Sequence, residues 1–142
     1  MTRYASIDLG TNTVRLLIAT VASGRLEPLL VTRRITRLGG GFTREAGLSP
    51  EARQRTMAAL VEFAADLERH EAPRLRAVAT SAVREAVNGA DFCAEVLART
   101  GIKLEVISGE EEGLLTLHGM RAGLGDPEGT LLVFDVGGGS TE

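Results

Sequence analysis

An α/β layer built on a mixed sheet is the fold class this sequence predicts, on three observations. The chain opens with three apolar stretches joined by tight polar turns. From residue 49 onward, segments of helical periodicity alternate with short apolar strands. Its 142 residues, 44% hydrophobic and 25% charged, have the composition of a soluble globular protein and suffice to bury one self-sufficient core. An antiparallel meander followed by alternating helices and strands makes a mixed sheet.

The elements follow in order. Tyr4 to Asp8 and Val14 to Thr20 are apolar stretches separated by Gly10-Thr11-Asn12-Thr13, small residues that read as a hairpin turn. Ser23-Gly24 marks a second turn, and Leu26 to Ile35 supplies a third strand. Gly39-Gly40-Gly41 breaks the pattern. Ser49 then stands as N-cap, Pro50 at the first helical position and Glu51 in the first turn. Met57, Leu60, Val61, Ala64 and Leu67 recur at helical spacing, so a helix with one buried stripe runs to about His70.

Leu75 to Ala79 is a short strand, and Thr80-Ser81 can cap a brief helix through Glu85. Asn88-Gly89 is a turn, Asp91 caps a helix through Arg99, and Gly101 supplies its left-handed stop. Ile102, Leu104 and Val106 alternate with Lys103 and Glu105 as a half-buried strand. Ser108 and Glu111 have the spacing of a capping box, opening a helix whose apolar side is Leu114, Leu117 and Met120. Gly125-Asp126-Pro127-Glu128-Gly129 is a connector, and Thr130 to Phe134 reads as a strand buried on both faces.

One internal echo carries the functional reading. Ile7-Asp8-Leu9-Gly10-Thr11-Asn12-Thr13 resembles Phe134-Asp135-Val136-Gly137-Gly138-Gly139-Ser140-Thr141. Each is an apolar strand, an Asp, one aliphatic residue, a Gly and a small polar turn. Glycine lets successive amides converge on an anion, and the hydroxyls of Thr11, Thr13, Ser140 and Thr141 can add donors. An Asp at the strand end can hold Mg²⁺ or its waters. A single copy would be an ordinary tight turn; two copies point to a phosphate clamp. Neither copy contains the Gly-Lys-Ser/Thr of a P-loop, and no G-x-G-x-x-G opens a helix after the first strand.

Four motifs in order then resemble a known family. Ile7-Asp8-Leu9-Gly10-Thr11-Asn12-Thr13, Ala79-Thr80-Ser81-Ala82-Val83-Arg84-Glu85-Ala86, Ile107-Ser108-Gly109-Glu110-Glu111-Glu112 and Asp135 to Glu142 are similar to those of the exopolyphosphatase / guanosine pentaphosphate phosphohydrolase family. That resemblance implies the actin-like ATPase (ribonuclease H-like) fold, in the order βββαβαβα. It also implies Mg²⁺-dependent release of terminal phosphate from inorganic polyphosphate, or of the 5′ γ-phosphate from guanosine pentaphosphate. Glu112 falls on the family's catalytic base, which orients and deprotonates the attacking water. Gly10, Thr11, Asn12 and Thr13 would be one phosphate loop and Gly137, Gly138, Gly139, Ser140 and Thr141 the other. Asp8, Asp135 and Glu142 would surround Mg²⁺. For Glu112 the bland alternative is favourable charge at a helix N-terminus, and for Asp8 it is the tying of a turn.

Arg84 is either a phosphate contact or the partner of a nearby Glu. Arg15 and the Arg33, Arg34 and Arg37 cluster are either a track for a polyanion or an exposed strand face. By the same resemblance, residues 1–128 form a first domain and 129–142 the opening strand and phosphate turn of a second. The isolated chain would then turn over weakly or not at all. The open edge of residues 130–134 would pair with its own sheet or with a second copy, as a homodimer. Gly113 stands where the family commonly has Ala. Two other classes share the turns: a non-catalytic phosphate- or nucleotide-binding module, and a phosphotransferase like acetate or sugar kinases.

Charge and cysteine usage narrow the field. A formal charge of -3, from 16 basic and 19 acidic residues, argues against a specific nucleic-acid binder. Of the basic residues only Lys103 is lysine, which reads as coding bias. Cys93 is the single cysteine, so neither an intrachain disulfide nor a cysteine metal cluster is expected; it reads as a small buried apolar group. His70 and His118 lie far apart, the latter expected at the core edge. No leader-like start and no membrane span are read from the sequence, and the expected compartment is a reducing cytoplasm.

Overall fold

The computed structural model describes residues 1–125 and 128–142. Asp126 and Pro127 of the expected connector lie outside the described residues. Nine elements follow in order: β1 (Arg3–Leu9), β2 (Thr13–Ala22), β3 (Arg25–Ile35), α1 (Pro50–Arg69), β4 (Arg74–Ala79), α2 (Ser81–Glu85), α3 (Gly89–Thr100), β5 (Leu104–Val106) and α4 (Gly109–Leu124). The five strands form one sheet in the order β3-β2-β1-β4-β5. The meander β1-β2-β3 is antiparallel, while β1–β4 and β4–β5 are parallel. The predicted mixed sheet is the one observed, and the element order agrees through α4 except that two helices, α2 and α3, stand between β4 and β5; the strand expected at 130–134 does not form.

Alternation along the strands decides which face is core. Ala5, Ile7 and Leu9 of β1, Val14, Leu16 and Ile18 of β2, and Ala77 and Ala79 of β4 are buried on one face. They meet Met57, Leu60 and Phe63 of α1 and Phe92 and Val96 of α3 in a single cluster. Fully burying each such aliphatic or aromatic side chain contributes about 1.5–3 kcal/mol, so this layer dominates stability. The intervening side chains, Ser6 and Asp8 on β1 and Arg15 on β2, point to the opposite face. Asp8 pairs in register with Arg15, and Arg15 with Arg33. The polar site is thus placed on the far side of a sheet whose near side is core.

Several local expectations shift. Ser49 caps α1 by accepting from the Ala52 amide at 3.3 Å, as its sequence predicts. Val61 is 43% exposed and lies off the buried stripe. The expected capping by Thr80 and Asp91 does not form. The Thr80 hydroxyl donates to the Leu9 carbonyl at 3.4 Å, and α3 begins two residues earlier than Asp91, after Asn88. Asn88 spends its side chain elsewhere: Oδ1 accepts from the Leu48 amide at 2.8 Å and Nδ2 donates to the Leu48 carbonyl at 3.0 Å. A side chain bonded twice to another loop cannot also cap its own helix. Cys93 is half-buried at the margin of the core, and burial pushes its thiol up. Ile102 precedes β5 and is buried, whereas Val106 is exposed.

Two larger departures concern the C-terminal third. Thr130 to Phe134 forms no strand; among the described residues no ladder runs beside it, and its largely exposed backbone is left to water. Phe134 is 71% exposed. Helix α4, for its part, contains no buried residue: Leu114 and Met120, expected on its apolar side, are exposed, as is His118. No helix is long and apolar enough to cross a membrane among the described residues.

Candidate phosphate-binding and catalytic site

The two echoed turns are built alike. In the first, the Gly10 amide donates to the Thr13 carbonyl at 2.9 Å; in the second, the Gly137 amide donates to the Ser140 carbonyl, also at 2.9 Å. A Cβ on Gly10 would lie 3.3 Å from the Thr13 oxygen, and one on Gly137 would lie 3.2 Å from the Ser140 oxygen. Both glycines are therefore set by the same close approach. Reciprocal amide–carbonyl bonds between Asp135 and Glu142 at 2.9 and 3.0 Å, with a Val136–Thr141 bridge, make residues 135–142 a small hairpin.

The turns face each other across one cleft of about 280 Å³. It is lined by Gly10 to Thr13, by Gly137 to Ser140, and by Asp8, Arg15, Thr80, Ser81, Glu112 and Asp135. The approach is close. A Cβ on Gly139 would lie 2.6 Å from Ser81 Oγ and 2.8 Å from Thr11 Oγ1, and one on Gly138 would collide with the Asn12 amide. The Thr11 and Ser81 hydroxyls are themselves hydrogen-bonded at 3.0 Å. Ser81 was not among the expected site residues. Its place directly after Thr80 in the Thr-Ser-Ala-Val-Arg motif was the signal available for it.

Acidic residues gather beside this cleft, which Asp8, Glu112 and Asp135 line, whereas Glu142 and the expected phosphate-loop residue Thr141 stand outside its lining. One carboxylate oxygen from each of Glu112, Asp135 and Glu142 can come within 4.8 Å of the others. Asp8 lines the same cleft but is not one of that trio, so the acidic set differs by one member from the expected Asp8, Asp135 and Glu142. Burial raises the pKa of Glu112; Glu142 raises it further, Arg84 opposes, and Asp8 and Asp135 add to the rise. Protein crowding around the Asp8 carboxylate raises its pKa too, with Arg15 opposing and Asp135 reinforcing. Glu112 Oε2 is buried without a hydrogen-bond partner among the described residues, 3.8 Å from Arg84 Nη1. An ionised oxygen held this way is costly unless a proton, a water or a cation meets it.

Arg84 lies behind the acidic group. Its Nη1 donates to the Ile107 carbonyl at 2.7 Å, and it does not line the cleft between the turns. The ion-pair alternative for Arg84 is thus present in the structure. Helix α4 places Glu112 in its first turn, with Ser108 accepting from the Glu111 amide at 3.1 Å. The reciprocal half of the predicted capping box is diverted, because Glu111 Oε1 accepts from Arg76 Nη2 at 2.6 Å. Arg76 also reaches Glu105 at 3.2 Å, so α4 is pinned to β4 and β5 at its N-terminal end. A Cβ on Gly113 would sit 3.5 Å from the Glu142 Cβ, an ordinary contact that leaves room for alanine.

The Ppx/GppA phosphatase family matches residues 17–142. Exopolyphosphatase 2 of Mycobacterium tuberculosis is 45% identical over all of this chain and 47% of its own length. The Ppx/GPPA enzyme of Aquifex aeolicus superposes with a TM-score of 0.90 at 38% identity, over 99% of this chain and 46% of that one. An exopolyphosphatase from Cytophaga hutchinsonii gives a TM-score of 0.93 at 31% identity, over 99% and 45%. The chain thus spans about half the length of these relatives. On the family match over most of its length, the chain belongs to the Ppx/GppA phosphatase family.

Proposed function

We propose that this chain supplies the water-activating half of a phosphohydrolase that removes the terminal phosphate of inorganic polyphosphate. The observation that carries the reading is Glu112: a carboxylate with a buried oxygen that accepts no hydrogen bond among the described residues, on the cleft wall shared by both echoed turns. The names of the relatives, exopolyphosphatases among them, support polyphosphate as the substrate class. Guanosine pentaphosphate carries the same kind of terminal phosphoanhydride, and a side-by-side assay ranks the two.

The chemistry divides among named residues. Phosphoryl transfer needs an in-line nucleophile and charge neutralisation, with little covalent help from the protein. With the Gly10 and Gly137 amides spent inside their turns, the remaining amides and hydroxyls of Thr11, Asn12, Thr13, Gly138, Gly139 and Ser140 hold the terminal phosphate's oxygens. Glu112 accepts a proton from a water as the water oxygen attacks phosphorus and the bridging P–O bond breaks toward the shortened chain. The raised pKa makes Glu112 a better proton acceptor than an ordinary glutamate. Arg84 opposes that rise.

An all-carboxylate donor set of Glu112, Asp135 and Glu142, with no His or Cys, fits a hard cation such as Mg²⁺. Asp135 and Glu142 would hold it, and Glu112 faces the same point. When bound, the cation offsets phosphate charge. Residues 129–142 fit the start of a second domain, whose remainder would enclose the cleft. Phosphate release from polyphosphate by the full-length protein, with and without Mg²⁺, tests the proposal. No release in either condition, with polyphosphate retained on the protein, would favour a non-catalytic binding module instead.

A further inference from the structure

Threonine hydroxyls inside helices commonly fold back onto the carbonyl four residues earlier. Two helical threonines here do so: Thr56 donates to the Ala52 carbonyl at 2.9 Å and Thr100 to the Val96 carbonyl at 2.7 Å. Thr116 on α4 behaves differently. Its Oγ1 donates outward to Asp135 Oδ2 at 3.0 Å. This bond ties the second hairpin to the helix that carries Glu112. Thr116 lies four residues after Glu112, so both project from one face of α4, and both line a small cavity with Asp8 and Asp135.

The geometry points to Thr116 as a positioning residue that orients the Asp135 carboxylate for a divalent cation. The inference rests on the cation reading given above for Asp135 and Glu142. A neutral donor suits this role. Asp135, Glu112 and Glu142 repel one another, so an untethered Asp135 would turn outward to water. An arginine could tether it, but would also cancel the negative charge a cation needs. The hydroxyl fixes one oxygen and leaves the charge intact. At the first turn the arrangement is the opposite, because Asp8 is opposed by the full charge of Arg15. The structure thereby distinguishes two otherwise echoed aspartates: one tied by a neutral hydroxyl, one balanced by a cationic side chain.

Binding of Mn²⁺ alone to the full-length protein, followed by calorimetry, separates the possibilities. Partners that orient metal ligands commonly change affinity by roughly 10–100-fold, so Thr116→Val, which keeps shape and loses the hydroxyl, should weaken Mn²⁺ by about tenfold. Thr116→Ser should bind within about twofold of the unsubstituted protein, and Asp135→Asn should lose at least as much as Thr116→Val, on the same basis. Unchanged affinity in Thr116→Val beside a weakened Asp135→Asn overturns the positioning role. An equal loss in Thr116→Ser and Thr116→Val also overturns it, because packing and not the hydroxyl would then be responsible. Unchanged affinity in Asp135→Asn overturns the cation reading itself, and Thr116 with it.

Discussion

The two echoed turns share a hydrogen bond and differ in what stands behind them. The first lies between β1 and β2, flanked by Ile7 and Leu9, each only 1% exposed. Its own carbonyls are also claimed: Asn12 accepts from the amides of Thr36 and Arg37, and Thr11 from that of Gly39. The second stands on a hairpin of one bridge, flanked by Phe134 and Val136, the latter 77% exposed. Turn geometry is therefore local, carried by glycine and its neighbours. Rigidity is not local, because it comes from the layer beneath. Among the described residues one jaw is part of a core, and the other is joined to it by the Thr116–Asp135 hydrogen bond and the close approach of Gly138 and Gly139.

The largest expected effect tests whether the two jaws serve one reaction. Glu112→Gln removes the proton acceptor and keeps the shape. Losing a general base typically costs about 10²–10⁴-fold, so phosphate release by the full-length protein should fall by that amount with its circular dichroism unchanged. A rate within about threefold of the unsubstituted enzyme would break the assignment of Glu112.

Next in size is the difference in support. Deleting most of a buried isoleucine costs about 2–5 kcal/mol, and Ile7 sits in the core under the first turn. Phe134 occupies the matching position before the second turn, yet is largely exposed, where substitutions change stability by under about 0.5 kcal/mol. Urea unfolding of the 142-residue polypeptide should therefore separate Ile7→Ala from Phe134→Ala clearly. Equal losses would mean that the second hairpin is supported as firmly as the first.

How legible all this was in the sequence follows the same division. β1 to β4, α1 and the Ser49 cap were readable because periodicity, turn residues and caps act within a few positions. The turns were readable for the same reason. Thr130 to Phe134 was misread because an apolar run states only that burial is favourable, not that a neighbour is present to provide it. The roles of Asn88, Glu111 and Thr116 were hidden more deeply. Each side chain had a sensible local partner, and each was taken by a group 40, 35 or 19 residues distant in sequence.

The glycines of the second turn give a smaller and more selective prediction. Gly139→Ala places a methyl 2.6 Å from Ser81 Oγ, so the hairpin must back away from the first turn. In the 142-residue polypeptide, where little is buried behind it, the hairpin can do so at small cost in stability. Its Kd for polyphosphate should rise roughly tenfold, about 1.4 kcal/mol of binding, with the melting temperature nearly unchanged. Gly10→Ala should show the reverse bias, since its turn cannot move. Overpacking there costs about 1–3 kcal/mol, seen in urea unfolding. The same response from both glycines would erase the distinction between a fixed and a yielding jaw.

The smallest effect concerns the scaffold behind the fixed jaw. Arg53 on α1 donates to Glu95 on α3 at 2.7 Å and stacks over the Phe92 ring at 5.7 Å. The hydrogen bond from Arg53 holds Glu95 below the ordinary glutamate range, with Arg99 adding to the effect and desolvation opposing it. A carboxylate with a lowered folded-state pKa stabilises the fold above its unfolded value, and that contribution is lost as pH falls through the folded value. Arg53→Met keeps the packing on Phe92 and removes the charge. It should lower the melting temperature slightly at neutral pH, and the difference should fade as pH drops through the lowered Glu95 value and the carboxylate is protonated in either protein. A difference that persists in acid would assign the effect to the lost stacking over Phe92. The α1–α3 layer would then be held by packing alone, and the support beneath the first turn would be insensitive to pH.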